Sequence, residues 1–322
     1  MNKPDMDPTY FDVVIIGGGL AGLIASIELG RAGCKVALIE KKQYPFHKVC
    51  GEYVSNEVLP YLKQTGFDPH RFGASSISRL LVTAPNGRRF FAPLQSGGFG
   101  ISRFRMDNHL VQLTREAGVH VMEGTRVMNA AFLHNQFELT LNNGSVIQCG
   151  LALGCYGKRD SLDKKLDRGF INKRTGYLGV KYHIHADLPA DEIALHNFKG
   201  GYCGVVKIED DKFNLCYLRK AAGNSKPQSL DELEATVLAV PPPAAEAAVM
   251  AATVAPRWAL AGEVIPDMWA NLGESSDRWS RSRATLIRRH AAPGLGGRAV
   301  WARHESSLGR RFERDGGSRR CH

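Results

Sequence analysis

Phe11-Asp12-Val13-Val14-Ile15-Ile16-Gly17-Gly18-Gly19-Leu20-Ala21-Gly22 decides how the rest of the chain is read. Its first six residues are mostly apolar and β-branched, a composition suited to a strand buried on both faces of a parallel sheet. The glycines then satisfy G-x-G-x-x-G. Gly17 permits a sharp turn off the strand, Gly19 lets the backbone approach a pyrophosphate, and Gly22 lets the following helix pack closely on the strand. Gly18, Leu20 and Ala21 complete this phosphate-facing turn. Leu20 to Arg31 reads as the helix, with Leu23, Ile24, Ile27 and Leu29 for packing and its N-terminal amides and dipole aimed at the phosphates.

Gly33 ends that helix, Lys35 to Glu40 is the second strand, and Glu40 stands where the acid of this fingerprint takes the ribose hydroxyls. Strand, glycine turn, helix, strand and acid in this order imply a bound dinucleotide. An acid at the ribose favours a free diol, as in FAD or NAD, over the 2′-phosphate of NADP.

The chain has 322 residues, enough for one large core or two linked ones. With 43% hydrophobic and 23% charged residues, it has the composition of a globular protein in water. Residues 1–9 contain no apolar signal core, and no stretch has the length of a membrane span, so a cytoplasmic location is expected. Seven scattered cysteines without a C-x-x-C pair indicate neither a disulfide framework nor a zinc site, and no metal is expected. The net charge of +10 is spread through the chain without a nucleic-acid-binding motif, so no specific nucleic acid is expected. A mildly basic face fits phosphates or peripheral contact with an anionic membrane instead.

After the fingerprint, Lys41 to Gly51 reads as a loop containing Lys48-Val49-Cys50-Gly51-Glu52, and Asn56 to Thr65 as a short helix with Val58, Leu59 and Leu62 inward. Ser78 to Phe91 reads as a β-hairpin around Pro85-Asn86-Gly87. A Gly97-Gly98 loop then leads to a helix capped by Asp107 and carrying Leu110, Val111 and Leu113. Val119 to Met122 is a third parallel strand. Val127 to Leu133, Phe137 to Leu141 and Val146 to Cys149 form an antiparallel meander, and Leu151 to Arg159 resumes the parallel sheet and ends in a glycine turn. Tyr177 to His185, His196 to Lys207 and Lys212 to Leu218 read as strands of a second sheet shared with the Ser78 hairpin.

The order of these pieces resembles the FAD-dependent oxidoreductases of the p-hydroxybenzoate hydroxylase fold, and within them the geranylgeranyl reductase family. The likeness rests on the fingerprint, the Cys50-Gly51 loop, Ser102-Arg103 before a helix, the meander and the Gly154 to Arg159 turn. It covers about Tyr10 to Leu238. It implies an α/β protein with a Rossmann-like FAD-binding domain at 10–77 and 101–175, including the three-stranded meander, and a β-rich substrate domain at 78–100 and 176–240. It further implies FAD as cofactor, NADH or NADPH as a transient electron donor, and an unsaturated, lipophilic substrate reduced by hydride transfer. The same fold also serves monooxygenases. The oligomeric state is left open.

By the same likeness, Gly17, Gly18, Gly19, Leu20, Ala21, Gly22 and Glu40 hold the ADP part of FAD, and Lys41 or Lys48 reaches the adenosine or pyrophosphate. Arg103 contacts the cofactor, with an ion pair to Asp107 as the other reading. Backbone near Val127 covers the adenine, and Gly154 and Gly157 form the second flavin-contacting turn. Cys50 lies beside the flavin, where a thiol either shapes the pocket, donates a proton or is merely structural. His47, His183, His185 and His196 are candidates by residue type alone.

The chain departs from relatives of this fold in several places. Tyr156-Gly157 replaces the Asp-Gly pair of aromatic hydroxylases, the W-x-W-x-I-P segment of flavin halogenases is absent, and Tyr202 to Val206 matches the Y-x-W-x-F-P segment of prenyl reductases only loosely. After Lys226 there is no lysine, yet thirteen arginines and all four tryptophans follow, and the Gly-Asp turn of the family is missing. Two readings of the Arg-rich stretch at 241–322 stand: a shifted reading frame, which leaves a catalytically silent remnant, or a divergent, disordered basic tail.

Overall fold

The computed structural model describes residues 9–158, 160–172 and 176–220, together with two-residue strands at 265–266 and 285–286. In chain order, β1 (Thr9–Ile16), α1 (Leu20–Arg31), β2 (Val36–Ile39) and β3 (Tyr53–Ser55) lead to α2 (Leu59–Thr65) through a 3-10 turn at Asn56–Val58. A second 3-10 turn, Pro69–Phe72, precedes β4 (Ser75–Thr83), β5 (Arg89–Gly100), α3 (Arg103–Glu116) and β6 (His120–Met122). Then come β7 (Val127–Leu133), β8 (Gln136–Leu141), β9 (Val146–Gly154), α4 (Ser161–Lys165) and a 3-10 turn at Gly169–Asn172. The described strands end with β10 (Tyr177–Ile184), β11 (Glu192–Phe198), β12 (Gly201–Lys207), β13 (Phe213–Lys220), β14 (Ile265–Pro266) and β15 (Thr285–Leu286).

Two sheets result. The first has the order β6-β2-β1-β9-β8-β7, with β15 added to β9. β1 runs parallel to β2 and β9, and the two faces of β1 feed separate cores. Val13 and Ile15 pack with Leu23 and Ile27 of α1 and Leu110 of α3, whereas Val14 and Ile16 pack with Leu139 and Leu141 of the meander. This double burial is what the unbroken apolar run of β1 requires. Leu23 and Ile27 are fully buried, and each such side chain contributes about 1.5–3 kcal/mol of transfer free energy. The second sheet has the order β14-β10-β13-β12-β11-β4-β5-β3. The fold is therefore α/β: a Rossmann-like sheet with a meander, and a β-rich second layer.

Several sequence expectations need correction. Gly97 and Gly98 belong to β5, not to a loop, and the Tyr53 ring packs over Gly98, 2.3 Å from where a Cβ would stand. The helix after them starts at Arg103 with Ser102 as its cap, the Ser102 hydroxyl accepting from the Arg105 amide. Asp107 is thus inside the helix, 1% exposed. The hairpin expected from Ser78 to Phe91 is longer, with arms Ser75–Thr83 and Arg89–Gly100, because its far ends pair with each other and with β3. Val58 is exposed, since the 3-10 turn rotates it away from the face that buries Leu62. His196 to Lys207 is a hairpin of two strands that turns at Lys199-Gly200, where Gly200 takes φ +87°. The meander's last strand and the strand to Gly154 are one, β9, pairing antiparallel with β8 and parallel with β1. The Arg-rich stretch at 241–322, and the frame shift proposed for it, lie outside the described residues apart from β14 and β15.

Candidate functional site

The glycine turn leaves β1 with Gly17 at φ +104°, a conformation strained for any side chain. A Cβ on Gly17 would meet the backbone of Tyr156 at 2.5 Å, and one on Gly22 would meet the Gly17 carbonyl oxygen at 1.9 Å. These two glycines are demanded by packing between the turn, α1 and the Gly154 to Gly157 segment. Gly19 differs. Around it only Lys48 Nζ comes within reach of a Cβ, at 3.9 Å, and no side chain caps α1. The first amides of the helix therefore face a space that the described protein atoms leave open, the setting in which helix N-termini take phosphate.

Glu40 is buried at the end of β2 and accepts the Gly18 amide (2.8 Å) and the Lys42 amide (3.1 Å). Its carboxylate keeps lone pairs beyond those two bonds, so it can still accept ribose hydroxyls. The Gly18 carbonyl accepts from the Tyr44 hydroxyl and from Lys48 Nζ (3.1 Å). Burial, followed by the charge of Glu40, pushes the Tyr44 hydroxyl upward, so it stays protonated and donates.

Lys48 leads into a chain of charges. Its ammonium lies 3.0 Å from Asp107, which Arg103 grips with two bonds of 2.8 Å. Burial pulls the Lys48 ammonium down, while Asp107 opposes the shift. Burial works most strongly against the Arg103 cation, but the charge of Asp107 and its hydrogen bonds to the guanidinium oppose it, and the group is held above its ordinary value. The Glu52 amide donates to Cys50 Sγ at 3.4 Å, which places the thiol beside this chain of charges.

Glu52 ties this chain to the second sheet. It is 1% exposed, with a left-handed φ of +54°. Its Oε1 accepts from the Arg103 amide (2.8 Å) and Lys181 Nζ (2.6 Å), and its Oε2 lies 2.6 Å from His183 Nε2. Burial alone would raise the Glu52 carboxyl, but the His183 hydrogen bond and the Lys181 charge hold it below the usual carboxylate range. On β13, Asn214 Nδ2 donates to the carbonyls of Cys50 (3.2 Å) and Gly51 (2.9 Å). The Cys50-Gly51 loop is thereby clamped between the glycine turn and one face of the second sheet. His47 stacks on Phe104 at 4.6 Å and meets the edge of His183 at 5.3 Å.

The structure thus brings Gly18, Glu40, Lys48, Arg103 and Cys50 into one connected region. The Gly154 to Gly157 segment abuts Gly17, and the Cys155 amide donates to Ile16 at 2.7 Å. Val127 starts β7, buried, next to Thr125, whose amide donates to the Glu40 carbonyl at 3.0 Å. Lys41 is exposed. Gly157 takes φ +78° with open space around it. Sequence reasoning missed Tyr44, Glu52, Lys181 and Asn214. Two signals existed: Glu52 directly follows the Cys-Gly pair, and Lys181 and His183 put two polar groups on one face of an otherwise apolar strand.

Residues 10–194 match the family profile described as the FAD binding domain. The chain belongs to this FAD-binding family. Its relatives and structural neighbours include reductases, monooxygenases and halogenases. Digeranylgeranylglycerophospholipid reductase 2 of Methanopyrus kandleri is 37% identical over 113 residues, which are 34% of this chain and 27% of that protein. A geranylgeranyl bacteriochlorophyll reductase-like structure from Thermoplasma acidophilum superposes with a TM-score of 0.57 at 18% identity, covering 66% of this chain and 57% of that one. The p-nitrophenol 4-monooxygenase PnpA of Pseudomonas putida superposes with a TM-score of 0.61 at 16% identity, covering 72% and 62%. The chain spans less than half the length of the curated relatives it matches.

The residues present fit FAD. The open cradle at Gly19 suits a pyrophosphate, and the Glu40 carboxylate suits a ribose diol. Among the described residues, no helix is long and apolar enough to cross a membrane.

Proposed function

We propose that this flavoprotein is a reductase moving hydride between reduced flavin and an unsaturated, lipophilic substrate. The observation that carries the reading is the Cys50-Gly51 loop, where the Glu52 amide donates to the Cys50 thiol and Asn214 of the second sheet donates to both backbone carbonyls. Residues 10–77 and 101–175 serve FAD and residues 78–100 and 176–240 the substrate, residues 173–175 and 221–240 lying outside the described residues. Gly17, Gly18, Gly19, Leu20, Ala21, Gly22 and Glu40 bind the ADP moiety, Lys48 neutralises phosphate, and Lys41, Val127, Gly154 and Gly157 line the remaining cofactor edge. Bound FAD supplies two-electron redox chemistry, refilled by NADH or NADPH. Cys50 donates the proton that accompanies hydride to a carbon–carbon double bond. The Glu52 amide, which donates to Cys50 Sγ, orients the thiol, and Arg103, fixed by its two bonds to Asp107, contacts the cofactor.

The test is anaerobic turnover of an isoprenoid alkene by the FAD-loaded chain with NADPH or NADH, read by mass spectrometry. A product heavier by two hydrogens is expected. Cys50→Ala should slow it by about 100-fold or more while retained flavin is unchanged. An oxygen-dependent, hydroxylated product would establish a monooxygenase instead, and a colourless chain that takes up no added FAD would overturn both.

A further inference from the structure

The strands of the second sheet leave one end basic and gather the acids, with basic partners, at the other. β4 and β11 run parallel, Arg79 beside Glu192 and Thr83 beside His196, so the turns that follow them share one end of the sheet. There the β4–β5 tip carries Pro85 to Phe91, the β11–β12 tip carries Lys199 and Gly200, and β13 finishes at Arg219 and Lys220, the Lys220 amide donating to the Gly200 carbonyl at 2.8 Å. Residues 84–98, 193–207 and 213–220 contain no Asp or Glu. Arg88, Arg89, Lys199 and Lys220 are all exposed. At the other end the acids gather, and they are paired: Asp191 with Arg79 at 2.8 Å, Asp210 with Arg105 at 2.6 Å and Asp211 with Lys207 at 2.6 Å.

The basic end also exposes aromatic surface. Phe90 and Phe91 follow the two arginines and are 61% and 59% exposed. Adjacent residues of a strand point to opposite faces, so these rings cannot form one stacking platform for successive bases. Both can, however, enter an apolar layer into which the end of the sheet dips. Paired aromatic rings beside guanidinium groups are suited to the headgroup zone of a bilayer, where rings meet acyl chains and cations meet lipid phosphates.

We infer that this end of the second sheet, led by Arg88-Arg89-Phe90-Phe91, docks on an anionic lipid surface. The docking goes beyond the reductase reading and does not depend on it, because its residues lie outside the Cys50 region.

The experiment is co-sedimentation of the full chain with vesicles of phosphatidylglycerol and phosphatidylcholine, and with vesicles of phosphatidylcholine alone. Binding to the anionic vesicles is expected. The Arg88→Glu, Arg89→Glu double variant should weaken it about tenfold or more, and so should Lys199→Glu with Lys220→Glu. Phe90→Ser with Phe91→Ser should weaken it severalfold while leaving far-UV circular dichroism and flavin uptake unchanged. The arginines beyond residue 226 are present in every variant, so the differences between variants carry the result. Equal sedimentation of parent and variants, or no sedimentation of the parent, overturns the inference. So does binding to heparin or single-stranded DNA that is as tight as to vesicles and indifferent to the phenylalanine substitutions, which would assign the surface to a soluble polyanion.

Discussion

Glu52→Ala is expected to destabilise the protein by about 3–5 kcal/mol, because it leaves the Lys181 ammonium buried without its counter-charge. The Lys181 side chain is only 6% exposed and Glu52 not at all, so water cannot take over the lost interaction. Glu52→Gln keeps the shape but not the charge and should fail similarly. Adding Lys181→Met to Glu52→Gln should recover most of the loss, since removing both charges of a buried pair is often nearly neutral. Urea unfolding of the four proteins at neutral pH checks the pattern. If the double variant were no more stable than Glu52→Gln, the ion pair would not be the source of the effect.

The same carboxyl gives a pH dependence with a definite sign. The fold lowers the Glu52 pKa, so its contribution is fully present above the unfolded carboxyl value of about 4.3 and is lost as pH falls through the depressed folded value. The acid limb of the stability curve should therefore be steeper in the parent than in Glu52→Gln.

Two alanine substitutions in the glycine turn should separate packing from cofactor binding. Gly22→Ala places a methyl 1.9 Å from the Gly17 carbonyl oxygen, which is backbone and cannot yield without moving β1 or α1. A loss of about 1–3 kcal/mol or more in stability is expected, with flavin binding falling as a consequence. Gly19→Ala meets nothing closer than Lys48 Nζ, and Gly19 already has an extended conformation that alanine adopts freely. Its stability should stay within about 0.5 kcal/mol of the parent. FAD affinity should nevertheless drop by about 100-fold, because the methyl occupies the approach to the pyrophosphate. Thermal unfolding of the flavin-free chains, together with fluorescence titration of FAD, distinguishes the two. Unchanged FAD affinity in Gly19→Ala would remove the turn from the cofactor site.

The contrast between these glycines shows where sequence reading stops. All three satisfy one motif, and the motif alone gives the strand, turn and helix in the right places, because the local needs of a tight turn and an amphipathic helix are written into adjacent residues. Distances over the fold decide what each glycine is for: Gly17 and Gly22 answer to neighbours in the protein, and Gly19 to space. Asp107 makes the same point. As a polar residue before an apolar helix pattern it reads as a cap, whereas Ser102 caps and Asp107 turns inward to meet Arg103 and Lys48.

By itself the sequence determined the α/β architecture, the meander, and the glycine turn between β1 and α1 with Glu40 at the end of β2, all features in which cause and effect lie within about thirty residues. Only the tertiary structure decided that Glu52 bridges to Lys181 and His183, that Asn214 clamps the Cys50-Gly51 loop, and that the second sheet has a basic, aromatic end. Those features join residues more than a hundred positions apart through strand register, and register is fixed by the burial of whole sheet faces rather than by any local pattern.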